Sequence, residues 1–227
     1  VHALTKILLL LCKQLGLPEW CVLIVLVPIF ILAGVGAALW RRKYFQVLKR
    51  KIKPYGGTLH HGLCFWAPTA RFSVDGIPGE LPWCSFLGYT RVRFSRLPAA
   101  GRLVVDTNPV SGRGERLAFP DKIFSVRFQG VGAPGSFASA VLDDDTRRRL
   151  MKLLAMSRLT LDRGRVDDHF YSGSSPKGRV RLEIDGKSMV LSVKAHLGTK
   201  EVEEFLEHAA MLCRKVRQLS APAAAPR

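Results

Sequence analysis

WCVLIVLVPIFILAGVGAALW, residues 20–40, contains no charged side chain, has Trp20 and Trp40 at its ends, and runs directly into Arg41, Arg42 and Lys43. An α-helix rises about 1.5 Å per residue, so this length matches the roughly 30 Å hydrocarbon core of a bilayer. The two indoles fall where interfacial aromatic residues sit. The pattern predicts a transmembrane helix over residues 19–40. Lys and Arg are retained on the cytoplasmic side of such a helix. Only Lys6 and Lys13 precede it, whereas Arg41, Arg42, Lys43, Lys49, Arg50, Lys51 and Lys53 follow it. The expected topology is a single pass through the inner (plasma) membrane, with the amino terminus outside and the carboxyl-terminal body in the cytoplasm. A cleaved signal peptide fits less well, because its apolar region is shorter and cations behind it oppose export.

Residues 1–18 form a separate segment in which Leu4, Ile7, Leu8, Leu11 and Leu15 recur at helical spacing. That spacing predicts an amphipathic helix lying in the membrane interface, ended by Gly16 and Pro18. Inside the expected span, Ala33 with Ala37 and Gly34 with Ala38 give small-xxx-small spacings that let another helix approach closely. The partners expected there are integral membrane protein subunits. No His, Asp, Glu, Lys or Arg lies in the run, so the usual marker of a proton or ion pathway is missing, as is a histidine that could ligate a haem.

Residues 41–53, RRKYFQVLKRKIK, hold seven cations and no acid and are expected to form a basic juxtamembrane helix that stops at Pro54 and Gly56-Gly57. Each cation near an anionic leaflet contributes about 1 kcal/mol of attraction. Trp20, Trp40, Arg41, Arg42, Lys43, Lys49, Arg50 and Lys51 are therefore the expected membrane-interface residues, with anionic lipids as partners. This strip carries +7 of the formal net charge of +17, and residues 54–220 carry +8. Those later charges are scattered, without zinc-finger spacing or an aromatic RNP pattern, so no nucleic acid is expected.

Residues 54–219 are long enough for one cytoplasmic domain with its own core; residues 220–227, ending APAAAPR, form a tail. The expected class is α+β: a mainly antiparallel β domain with two helices. Strands are predicted from Arg71 to Val74, Tyr89 to Ser95, Arg102 to Asp106, Ile123 to Phe128, Arg158 to Leu161, Arg179 to Ile184 and Met189 to Val193. Asp75-Gly76 and Asp185-Gly186-Lys187 are turn signals between strands. Asp143 to Asp145 are expected to cap a helix with Leu150, Leu153 and Leu154 on its apolar face. A final helix from Thr199 through Leu219 would turn Val202, Phe205, Leu206, Ala209, Leu212 and Val216 to the core.

Gly130, Gly132 and Gly135 satisfy the dinucleotide pattern G-x-G-x-x-G. The stretch before them alternates polar and apolar residues, unlike a central parallel strand, and Pro134 lacks an amide for a phosphate. A Gly-rich turn is the preferred reading. His60 and His61 would point to opposite faces of a strand, and with Cys64 they have no fourth ligand at metal spacing. Cys12, Cys21, Cys64, Cys84 and Cys213 contain no C-x-x-C pair and suit reduced thiols. Asp167, Asp168 and His169 lie in a polar stretch leading into SGSSPKG, an expected loop. No catalytic constellation, metal set or cofactor site is expected.

One span with a mainly β cytoplasmic body resembles the topology of the H subunit of purple bacterial photosynthetic reaction centres. That resemblance is architectural and implies no site residues here; it implies an auxiliary subunit covering the cytoplasmic face of a membrane assembly. The expected function is a non-catalytic, single-pass accessory or scaffold subunit that packs on and stabilises a larger membrane protein complex. Two alternatives are a membrane-tethered enzyme or nucleotide sensor using Gly130 to Gly135, and an anionic-lipid-binding domain on a membrane anchor.

Overall fold

The computed structural model describes residues 13–14, 27–28, 31–32, 35–36, 42, 45–46, 48–60, 69–84, 89–110, 114–164, 178–195, 197 and 199–221. The chain divides into two compact units, Val1–Val47 and Leu48–Arg227. In the first, the described residues are helical, among them Lys13, Gln14, Val27, Pro28, Ile31, Leu32, Val35, Gly36 and Arg42. Among the described residues no helix is long and apolar enough to cross a membrane. Trp20, Trp40, Ala33, Gly34, Ala37, Ala38, Arg41 and Lys43 lie outside the described residues, as does most of the expected interfacial segment.

The second unit is built on one sheet whose described strands are β1 (Thr58–His60), β2 (Thr69–Val74), β3 (Ile77–Cys84), β4 (Tyr89–Ser95), β5 (Arg102–Asp106), β6 (Glu115–Arg116), β7 (Gln129–Ala133), β8 (Val180–Asp185) and β9 (Ser188–Val193). Their order is β1-β2-β3-β4-β9-β8-β5-β7-β6, and each described pairing is antiparallel. The late β8–β9 hairpin is thus inserted between β4 and β5, at the middle of the sheet. Its turn is set by Asp185, whose carboxylate accepts the amides of Lys187 at 3.1 Å and Ser188 at 2.7 Å, and by Gly186 at φ +90°, a conformation that favours glycine.

Alternation along the strands sorts the two faces. Phe72, Val92, Phe94, Leu103, Val105, Leu182 and Leu191 are buried on one side, while Arg71, Arg91 and Arg93 are exposed on the other. Two long helices, α3 (Asp144–Gly164) and α4 (Thr199–Ser220), cover the apolar side. Asp143 caps α3 by accepting the Thr146 amide at 2.9 Å. Leu150, Leu153 and Leu154 of α3, and Val202, Phe205, Leu206, Ala209, Leu212 and Val216 of α4, are all buried. The domain is therefore α+β, with a mostly antiparallel sheet and several helices.

Three expectations are corrected. Ile123 to Phe128 do not form a strand: α1 spans Lys122–Arg127, because the Asp121 carboxylate accepts two successive amides, those of Ile123 and Phe124. Phe124 and Phe128, four apart, both face inward, whereas Val126 is 79% exposed. Arg158 to Leu161 are also helical, within α3. The apolar helical period continues through Met156, and no Gly or Pro interrupts it before Gly164. Finally, the helices exceed two, since α1 and a further short helix, α2 (Gly135–Val141), accompany the long pair.

Candidate functional site

The basic strip enters the second unit at Leu48. Residues 48–52 are helical and continue into a 3-10 turn, Lys53–Tyr55, closed by Gly56 in the left-handed conformation at φ 61°. Leu48 and Ile52, one helical turn apart, are buried, and Ile52 is fully so. Tyr55 then packs on Phe72 of β2 with ring centroids 6.0 Å apart. Gly57 donates its amide to the Ile52 carbonyl at 2.9 Å, and a Cβ there would lie 2.6 Å from Ile52 Cβ. This end of the strip is consequently fixed to the sheet by its apolar side.

Its cations divide by face. Lys49, Arg50 and Lys53 are exposed, while Lys51 forms an ion pair with Glu203 of α4. Arg42, in the first unit, is exposed as well. Of the expected headgroup contacts, Arg42, Lys49 and Arg50 are presented to solvent, and Lys51 is engaged with the domain. Exposed cations on a helix anchored by two buried apolar residues can bind anionic groups without having to be ordered first.

The glycine pattern has a packing explanation. The expected Gly-rich turn is corrected: Gly130 and Gly132 lie in strand β7 and Gly135 opens α2, with Gly132 opposite Leu103 and Gly130 opposite Val105 on the buried side. A Cβ at Gly132 would lie 2.5 Å from the Ala138 Cβ of α2, and one at Gly130 would lie 2.9 Å from Phe119 Cζ. Both glycines let overlying side chains approach the sheet. The surrounding strands are antiparallel, whereas a dinucleotide fingerprint belongs to a parallel βαβ unit. Nearby, Phe124 stacks on Phe128 at 4.5 Å and meets Phe119 edge-on at 4.9 Å. A cleft of about 380 Å³ lies beside this cluster, lined by Arg116, Leu117, Phe119, Phe128 and Gln129 among others.

Among the described residues no group of three His, Cys, Asp or Glu could hold a metal ion. His60 contacts the Thr58 hydroxyl at 2.9 Å. His61, Cys64, Asp167, Asp168 and His169 lie outside the described residues. Burial pushes the Cys213 thiol up to about 12, with Asp75 adding to the rise, so at neutral pH it is a protonated core group and not a nucleophile.

Two polar clusters escaped notice in the sequence. Asp106, 1% exposed, receives Nε of Arg179 at 3.1 Å and Nη2 at 2.7 Å, with Arg181 Nη1 at 3.5 Å. His208, 4% exposed, lies between the long helices beside Arg149 and Glu204. The available signals were weak: Asp106 ends an apolar strand, and His208 interrupts the apolar stripe of α4 between Phe205 and Leu212. Both clusters join structural elements, and neither opens onto a described cleft.

No protein-family model matches the chain, and no curated protein matches it. Among solved structures it is similar to the crystal structure of the mycobacterial trehalose monomycolate transport factor A, TtfA, with a TM-score of 0.47 at 8% identity, covering 82% of this chain and 99% of that one. At that level the likeness assigns neither family nor function to the chain.

Proposed function

We propose that this chain is a non-catalytic, single-pass accessory subunit of the inner membrane. Its span packs on integral membrane partners through Ala33, Gly34, Ala37 and Ala38, and its α+β unit braces the cytoplasmic face of the assembly. The observation that carries the reading is the 21-residue uncharged run followed by the seven-cation strip. Two features of the described residues support it. Val27, Ile31 and Val35, at successive helical turns, are about half exposed, at 50%, 58% and 51%, as a lipid-facing stripe would be. The strip also enters the domain through buried Leu48 and Ile52 while leaving Lys49, Arg50 and Lys53 outward.

Purification of the full chain from membranes in mild detergent provides the test. The expected result is retention in the pellet after alkaline carbonate washing and stable co-migration with integral membrane proteins. Release by carbonate, or digestion of the folded unit by protease added outside intact cells, overturns the reading.

A further inference from the structure

The short helix α1 exposes its apolar side. Ile123 is 69% exposed and Val126 is 79% exposed, the two highest values for large hydrophobic side chains among the described residues of the folded unit. Three apart on one helix, they project from the same side, opposite the buried Phe124 that holds α1 to Phe119 and Phe128. Exposed Lys122 and Arg127 flank them on α1, and exposed Arg116 lies on β6, which is joined to α1 by the short segment that includes Phe119. No salt bridge joins these three cations to an acid among the described residues. The nearby carboxylates are turned elsewhere. Asp121 accepts the Ile123 and Phe124 amides, and Glu115 Oε2 lies 3.3 Å from the position of a Cβ on Gly135, at the start of α2.

Two apolar tips are far too small a surface for a stable protein interface, which needs about 800 Å² from each partner. They suit a bilayer interface, where apolar tips enter between headgroups and cations meet the anionic surface at about 1 kcal/mol each. We propose that α1 is a membrane-dipping knuckle: Ile123 and Val126 enter the interfacial layer of an anionic leaflet while Lys122, Arg127 and Arg116 contact its headgroups. This inference rests on the membrane-anchored reading above and adds a second contact between the folded unit and the leaflet. The anchoring span alone does not require that contact.

The test uses the full chain in nanodiscs of phosphatidylcholine, with or without phosphatidylglycerol. An environment-sensitive fluorophore is placed on Val126→Cys after Cys12, Cys21, Cys64 and Cys84 are replaced by Ser; Cys213 is buried and stays unlabelled. The expected result is a blue shift and quenching by a lipid-borne spin label in anionic discs only, lost at high salt and in Lys122→Glu/Arg127→Glu. The same label on exposed Ser73→Cys should remain aqueous. A label at position 126 that stays in water while the chain co-migrates with anionic discs overturns the knuckle and leaves the anchor standing. A chain that fails to enter the discs at all overturns the anchor. A blue shift that grows with protein concentration and escapes the lipid-borne quencher means self-association, and it too overturns the knuckle.

Discussion

Nη1 of Arg149 on α3 donates to Nδ1 of His208 on α4 at 3.1 Å, so this link between the two long helices requires a neutral imidazole. The proton then sits on Nε2, which has no hydrogen-bond partner among the described residues and lies 3.6 Å from Glu204 Oε1. Burial holds the His208 pKa below the usual histidine value, and Arg149 and Lys152 add to the depression against the pull of Glu204 and Glu207.

The pH dependence follows from that depression. Unfolded His208 titrates near 6.5, at about the ordinary value, and the folded chain binds this proton only at lower pH. The stabilisation is therefore complete above that value and is lost as pH falls through the depressed folded pKa. Denaturant midpoints should decline from pH 7 to pH 5, and His208→Gln, which keeps an acceptor for Arg149 without a titration, should flatten that decline. Asp143 and Asp185 act lower. Burial disfavours their ionisation, but hydrogen bonds from Lys215 and Thr146 to Asp143, and from Lys187 and Ser188 to Asp185, outweigh it. Their contribution is present above about pH 4 and is lost as pH falls through their lowered values. An unchanged pH profile in His208→Gln would falsify the assignment.

Gly132→Ala should destabilise the domain by about 1 to 3 kcal/mol through overpacking, because the new methyl falls on Ala138. If the conflict is local, Ala138→Gly in the same chain should recover part of the loss, even though glycine in a helix costs up to about 1 kcal/mol. A double-mutant cycle read by urea unfolding measures the coupling. Simple additivity of the two changes would rule out this packing account of the glycine pattern.

The strands and long helices were legible where one signal dominated. Arg102 to Asp106 is apolar and β-branched, Asp185-Gly186 turns the chain, and α4 carries a long apolar period broken only by His208 on its buried side; all three recur in the fold. Phe124, Val126 and Phe128 misled because their spacing satisfies period two, while Phe124 and Phe128 alone satisfy a helical turn; the Asp121 cap decides between them. The order of the sheet was not legible, since the insertion of β8–β9 between β4 and β5 depends on pairings 75 to 103 residues apart in sequence. For the candidate site, the cations of residues 41–53 were visible as a block. The division between outward Lys49 and Arg50 and inward-paired Lys51 needed the partner residue, Glu203, on a distant helix.

Asp106 and Arg179 offer an asymmetric test of buried charge. The Asp106 side chain is 2% exposed, whereas that of Arg179 is 30% exposed. Arg179→Met leaves the carboxylate buried with, among the described residues, the longer contact to Arg181 and the Asn108 amide at 3.0 Å. Breaking a buried pair in this way costs about 3 to 5 kcal/mol. Asp106→Asn removes the buried charge and keeps a polar group of similar size, while Arg179 can still reach water. Chemical denaturation should therefore rank Arg179→Met as the more damaging of the two, and the opposite ranking would refute this division of the pair.

The strip from Lys49 to Ile52 separates adhesion from stability within four residues. Ile52 is fully buried, so Ile52→Ala should cost about 2 to 5 kcal/mol in unfolding free energy. Lys49→Glu and Arg50→Glu change exposed positions and should alter stability by no more than about 0.5 kcal/mol each. The same two changes should weaken association of the folded unit with phosphatidylglycerol-containing vesicles, most clearly at low salt, where exposed charges are least screened. Lys51→Gln should fall between these cases, because its ion pair with Glu203 is partly solvated and such pairs contribute up to about 1 kcal/mol. Vesicle co-sedimentation and urea unfolding of the same variants provide the two readouts. If the double variant Lys49→Glu/Arg50→Glu binds anionic vesicles as tightly as the parent across the salt range, these cations do not contribute to adhesion, and the outward face of the strip must be assigned another role.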